Sequence, residues 1–126
     1  MFQIDLKNKN VIVTGATNGI GRGIARQMAL AGANVCGCAT TDTDNGFSAE
    51  IAALGVKGLY VKCDVTVEDD LQKLVDATIK ELGGIDILVS NAGRNMFTGA
   101  ENCTEQNWLQ DIDLNLKAHW RLAYIV

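Results

Sequence analysis

The sequence predicts an α/β fold: an open, parallel, doubly wound sheet with helices on both faces. Three observations lead there. Short β-branched apolar runs alternate with amphipathic stretches along the whole chain. The first run passes directly into a glycine-rich turn. Thirteen glycines accompany no proline at all. Apolar runs without alternation are typical of strands buried on both faces, as in parallel sheets, and glycine without proline marks tight turns between regular elements. At 126 residues the chain fits one domain, 1–126, with no internal repeat, low-complexity stretch or linker.

Each element has its own signal. Asn10-Val-Ile-Val-Thr14 is the first strand, ending at Gly15. Ile20, Ile24, Met28 and Ala31 then recur at helical spacing, and Gly32 closes that helix. Asn34 to Ala39 reads as a second strand, Thr40 to Asp44 as a polar turn, and Phe47, Ile51 and Leu54 as a shorter helix stopped by Gly55. Gly58 to Cys63 is a third strand running into Asp64. Thr66 reads as an N-cap, with Glu68, Asp69 and Asp70 in the first turn, where the helix dipole favours acids. Leu71, Leu74, Val75, Thr78, Ile79 and Leu82 form one apolar stripe, ended by Gly83-Gly84. Ile85 to Ser90 is a fourth strand, Asn91 to Cys103 a loop, and Thr104 with Glu105 opens a last helix that continues to Val126. The connections are long enough for parallel crossovers, which are right-handed. The expected strand order is 3-2-1-4.

Composition excludes several classes of function. A net charge of −4 and a pI near 4.8 disfavour a nucleic-acid or anionic-membrane surface, which needs clustered Lys and Arg. No apolar run is long enough to span a bilayer, and residues 1–10 lack the blocks of a signal peptide, so a cytoplasmic protein is expected. The cysteines at 36, 38, 63 and 103 and the single histidine, His119, do not make metal-ligand spacing. No metal is expected, and the thiols read as free and buried in a reducing compartment.

The glycine turn carries the chemistry. In Thr14-Gly15-Ala16-Thr17-Asn18-Gly19-Ile20-Gly21, Gly15 permits a sharp turn off the strand. Gly19 removes a side chain where a diphosphate approaches the backbone, and Gly21 lets helix and strand pack closely. Amides at the helix start then face the anion, helped by the dipole. The strand-to-helix context makes this a dinucleotide-binding turn, and the absence of Lys-Ser/Thr after the glycines excludes a Walker loop. Asp64 and Asn91 each follow a parallel strand, on the rim where open α/β sheets bind ligands. The plainer reading of both is a turn or cap residue.

The spacing Thr-Gly-x-x-x-Gly-Ile-Gly resembles the short-chain dehydrogenase/reductase family, and three further landmarks follow in register. Cys63-Asp64-Val65 resembles the family's Asp-Val, whose acid binds the adenine amino group. Ser90-Asn91-Ala92-Gly93 resembles Asn-Asn-Ala-Gly, with Ser for the first Asn. Trp108 to Leu116 resembles the segment that carries the catalytic Asn, here Asn115. Val35 to Thr41 is also similar to bacterial 3-oxoacyl-carrier-protein reductases. The resemblance implies a Rossmann fold and hydride transfer between a nicotinamide cofactor and a small-molecule carbonyl or alcohol. It implies a cofactor site at Gly15, Thr17, Asn18, Gly19, Ile20, Gly21, Ala39, Thr40, Thr41, Asp64, Val65, Asn91, Ala92 and Gly93. Asn115 would kink its helix and hold a proton-relay water.

The cofactor is NADP or NAD. No acid stands at Ala39, Thr40 or Thr41 to chelate ribose hydroxyls, and Asp42 lies too far along, so the pattern leans to NADP. Arg22, one turn into the first helix, points elsewhere on this reading. The family's Ser and Tyr-x-x-x-Lys have no counterpart: neither Tyr60 nor Tyr124 has Lys four residues on. The chain is therefore expected to be the N-terminal, cofactor-binding part of a longer fold, its sheet truncated after the fourth strand, and inactive alone. A non-catalytic NAD(P)-binding module or inactive fragment is the alternative. The apolar positions Trp108, Ile112, Leu116, His119, Trp120 and Ala123 on the last helix predict a homodimer or homotetramer through that surface.

Overall fold

Parallel pairing organises the chain, whose computed structural model describes residues 2–95 and 99–126. In chain order the elements are β1 (Asn10–Thr14), α1 (Gly19–Leu30), β2 (Asn34–Ala39), α2 (Phe47–Ala52), β3 (Gly58–Lys62), α3 (Glu68–Leu82) and β4 (Ile87–Val89). A 3-10 turn (Ala100–Asn102), α4 (Glu105–Ile112), a π-helical turn (Asp113–Lys117) and α5 (Ala118–Ile125) follow. The strands lie in the order β3-β2-β1-β4, all parallel, as the sequence predicts.

β1 is buried along its whole length, and its side chains alternate between two cores. Val11 and Val13 join Val35, Ala25, Ala29, Phe47 and Ile51 under α1 and α2. Ile12 joins Cys36, Cys38, Leu71, Leu74 and Leu122 under α3 and α5. Each fully buried large side chain, such as Phe47 or Leu71, contributes about 1.5–3 kcal/mol relative to exposure.

Four details depart from the sequence reading. α1 does not bury its largest residues: Gly21, Ala25 and Ala29 face the sheet, and Ile20 is 78% exposed. Small residues win because the helix runs close to the strand; a Cβ on Gly21 would fall 2.1 Å from the Gly15 carbonyl oxygen. At the start of α3, Val67 takes the cap position without a side-chain bond, because the Thr66 hydroxyl donates to Asp64 Oδ1 at 2.7 Å. β4 is shorter than 85–90. Before it, the Asn10 N–H donates to the Asp86 carboxylate at 2.8 Å, and after it the Asn91 and Ala92 amides go to the Thr14 hydroxyl. At the first end the Asp86 amide still donates to the Asn10 carbonyl at 2.9 Å, and at the second the Thr14 side chain replaces the ladder. Finally, the single last helix is three pieces. Thr104 caps α4 as predicted, accepting the Asn107 N–H at 3.1 Å, but a π turn separates α4 from α5. Of the predicted loop 91–103, residues 96–98 lie outside the described residues, and 100–102 form the 3-10 turn.

Candidate cofactor cleft

A cleft of about 500 Å³ opens at the carboxyl rim of the sheet. The strand exits supply its floor, and α4 with the π turn supplies one wall. Of the sequence-predicted site residues, Gly15, Thr17, Asn18, Ala39, Thr40, Thr41, Asp64, Val65, Ala92 and Gly93 line it together. Gly19, Ile20, Gly21, Asn91 and Asn115 are not among its lining residues. Cys38, Cys63, Thr66, Arg94, Gln110, Asp111, Asp113 and Leu114 line it without having been predicted. The four from α4 and the π turn could have been found from their neighbourhood to Asn115; Arg94, directly after Gly93, carries a charge that motif matching ignores.

The glycine turn has the predicted geometry. Gly15 and Gly19 have φ of +63° and +53°, left-handed values that disfavour any residue with a Cβ. A Cβ on Gly19 would meet open space, so the backbone there is bare. The first turn of α1 has neither a side-chain cap at Asn18 nor an acid, and the Arg22 amide makes the bond to Asn18 O at 3.2 Å. Amides ahead of Arg22 therefore lack helical partners and carry the partial positive charge of the dipole. These residues fit an anionic diphosphate.

The rest of the rim is held by polar side chains. The Thr14 hydroxyl accepts the Asn91 and Ala92 amides, both at 2.9 Å. Asn91 Nδ2 donates to the carbonyls of Thr14 and Gly15, at 3.1 and 3.3 Å. Asn91 is thus committed to binding the exit of β4 to the glycine turn. Gly21 faces it: a Cβ there would also lie 2.6 Å from Asn91 Nδ2. Asp64 Oδ1 accepts the Thr66 amide at 3.0 Å as well as the Thr66 hydroxyl, while the Asp64 amide donates to Asp70 at 3.0 Å. Asn115 bridges from the π turn to the loop after β4: Oδ1 accepts the Arg94 amide at 3.0 Å, and Nδ2 donates to the Arg94 carbonyl at 2.7 Å. Gly93 must be glycine for this, since a Cβ would fall 2.8 Å from Asn115 Oδ1. One helical turn on, His119 Nδ1 is hydrogen-bonded to the Ser90 hydroxyl.

The second-strand exit is equally fixed. The Tyr60 hydroxyl donates toward the carbonyls of Thr41 (2.5 Å) and Ala39 (3.2 Å). Asp42 pairs with Lys62 at 2.5 Å, and that hydrogen bond holds its carboxyl below the ordinary value of 3.8. Arg22 is occupied by Glu50 and by the carbonyls of Thr17 and Asn45, and so staples α1 to the α2 side. Beneath the cleft, burial pushes the Cys36 thiol up to about 11, and Cys38 is raised by its hydrogen bond with Cys63 and by burial. Among the described residues no group of three or more His, Cys, Asp or Glu side chains is placed to hold a metal, and no helix is long and apolar enough to cross a membrane.

Comparison with known proteins matches this geometry. The profile of the short chain dehydrogenase family matches residues 9–126. The human dehydrogenase/reductase SDR family member 4 is 40% identical over 117 residues, which cover 90% of this chain and 41% of that protein. The 3-oxoacyl-(acyl-carrier-protein) reductase of Escherichia coli is 34% identical over 123 residues, 98% of this chain and 50% of that protein. The crystal structure of hydroxysteroid dehydrogenase from Escherichia coli superposes with a TM-score of 0.90 at 35% identity, covering 97% of this chain and 52% of that one. The chain spans about half the length of these relatives.

Proposed function

The chain belongs to the short chain dehydrogenase family, and from that premise we propose that it forms the cofactor-binding half of an NAD(P)-dependent oxidoreductase acting on a small carbonyl or alcohol. The bound nicotinamide would supply or accept the hydride. This chain's residues bind and orient it. The bare amides at Gly19 and the start of α1 take the diphosphate, and Asp64, which lines the cleft with Val65, takes the adenine amino group. Ala92 and Gly93 form a wall without bulky side chains, and Asn91 keeps that wall in register with the turn. Asn115 positions the loop at Arg94, and the π turn in its helix would hold a proton-relay water.

The observation that carries this reading is the uncapped, acid-free start of α1 opening into a cleft whose floor is Ala39 to Thr41 and Asp64. We favour NADP over NAD. Among the described residues no carboxylate lines the second-strand exit, Asp42 is engaged by Lys62, and the Thr40 hydroxyl is of a type that binds a 2′-phosphate, while the Thr41 hydroxyl donates to the Thr43 carbonyl at 2.8 Å. The test is thermal unfolding with NADP⁺ or NAD⁺ at saturating concentration. A ligand at 100-fold over its Kd stabilises the folded form by about 2.7 kcal/mol. We expect a clear rise with NADP⁺ and a smaller one with NAD⁺; no rise with either defeats the proposal.

The second reading is a module that binds the dinucleotide without turnover. Cofactor binding without oxidation of any alcohol by the whole protein would select it. We further propose that the protein lies in a reducing compartment, consistent with free thiols, and self-associates through α4 and α5, where Trp108, Leu116 and Trp120 are each more than half exposed.

A further inference from the structure

Arg94 is the sole basic side chain among the described residues that line the cleft, against the carboxylates of Asp64, Asp111 and Asp113. With all four ionised, the lining is two charges negative. That balance opposes entry of a diphosphate. A helix N-terminus offsets only about half a charge, so a cation beside the bare amides would strengthen binding. Arg94 fits that place in three respects. Its main chain is fixed at both polar atoms by the Asn115 amide, so the side chain departs from an anchored Cα. Its side chain is exposed, and among the described residues no carboxylate lies within 4 Å of its guanidinium; the ion pairs found there are Arg22–Glu50 and Lys62–Asp42. It also starts beside the anion site: two residues earlier, Ala92 abuts the glycine turn, its Cα 3.1 Å from where a Gly15 Cβ would lie.

We propose that Arg94 is the charge partner of the dinucleotide's phosphates, closing over the diphosphate from the wall beside the glycine turn. The planar guanidinium fork suits two phosphate oxygens at once, which lysine's point charge does not. The proposal rests on the cofactor reading above and adds to it a residue outside the glycine turn. The measurement is calorimetric titration of the full chain with ADP-ribose, which carries the diphosphate, and with adenosine, which is neutral. Wild type, Arg94→Ala and Arg94→Lys are compared. Arg94→Ala should weaken ADP-ribose about tenfold or more, the scale of a charge-assisted hydrogen bond, and leave adenosine unchanged. Arg94→Lys should recover part of the loss. Unchanged ADP-ribose binding in Arg94→Ala overturns the proposal, as does an equal loss for adenosine, which would make Arg94 merely structural. A wild-type chain that takes up no ADP-ribose overturns the cofactor reading as well, so the two failures are distinguishable.

Discussion

At the scale of single residues, two glycines within seven positions of β1, Gly19 and Gly21, have opposite reasons to be glycine, and substitution separates them. Gly21 has no room: an added methyl would strike the Gly15 carbonyl and the Asn91 amide. Gly21→Ala is expected to cost about 1–3 kcal/mol or more through overpacking, lowering Tm and cofactor affinity together. Gly19 has room but a left-handed backbone. Gly19→Ala should cost on the order of 1 kcal/mol from strain and yet lose cofactor affinity disproportionately, because the methyl would occupy the ligand's approach. Equal Tm losses with equal affinity losses would remove that distinction. The thiols give a second residue-scale prediction. Cys36, Cys38 and Cys63 are buried and Cys103 is exposed. With Cys36 near 11 and Cys38 also raised, little thiolate exists at those two positions at pH 8. Ellman's reagent should modify one thiol rapidly in the native protein and all four in denaturant; a second fast thiol would contradict the burial of the cleft floor. Sequence alone made the glycine turn legible, because φ and close approach demand a specific residue there. It did not reveal that Asn91 faces inward, since an Asn after a strand looks the same whether it binds a ligand or a carbonyl.

At the scale of elements, the π turn is the informative departure. The apolar periodicity of residues 108–123 is continuous, so pattern reading gives one helix, and only backbone geometry reveals the widened turn. π turns cost hydrogen-bond quality and commonly sit at functional sites. This one places Asn115 where its amide can hold both polar atoms of Arg94. Asn115→Ala should destabilise by about 1 kcal/mol, since each net hydrogen bond is worth ~0.5–1.5 kcal/mol and water can replace part of the loss. The Arg94 amide should also exchange its hydrogen markedly faster. An unchanged exchange rate would mean that the loop holds its position without Asn115. α1 shows the other limit of pattern reading. Its large residues mark the wrong face, because the sheet selects for small side chains at close range, and a hydrophobicity stripe does not encode distance.

At the scale of the whole molecule, strand number, order and sense were legible, because crossover length and handedness leave few alternatives. The sequence also marked an apolar surface on the last helix, at Trp108, Ile112, Leu116, His119, Trp120 and Ala123. Trp108, Leu109, Leu116, Trp120 and Tyr124 are exposed along α4, the π turn and α5, and the Trp120 and Tyr124 rings stack with centroids 6.0 Å apart. Apolar patches of this kind usually mark contact surfaces. Trp120→Glu should lower the sedimentation coefficient of the whole protein to that of a smaller species with little change in the far-UV circular dichroism spectrum. A parent that is already monomeric, or a variant that stays assembled, would refute self-association through this face.

The Thr14 hydroxyl, which accepts two amides from the neighbouring strand's exit, has a kinetic consequence. It rivets the exits of β1 and β4 into a single stiff floor, so neither can swing aside by itself to admit or release a ligand. Any gating must come from segments not joined by that rivet, and entry on this side should resemble a coin sliding into a slot more than a hand closing.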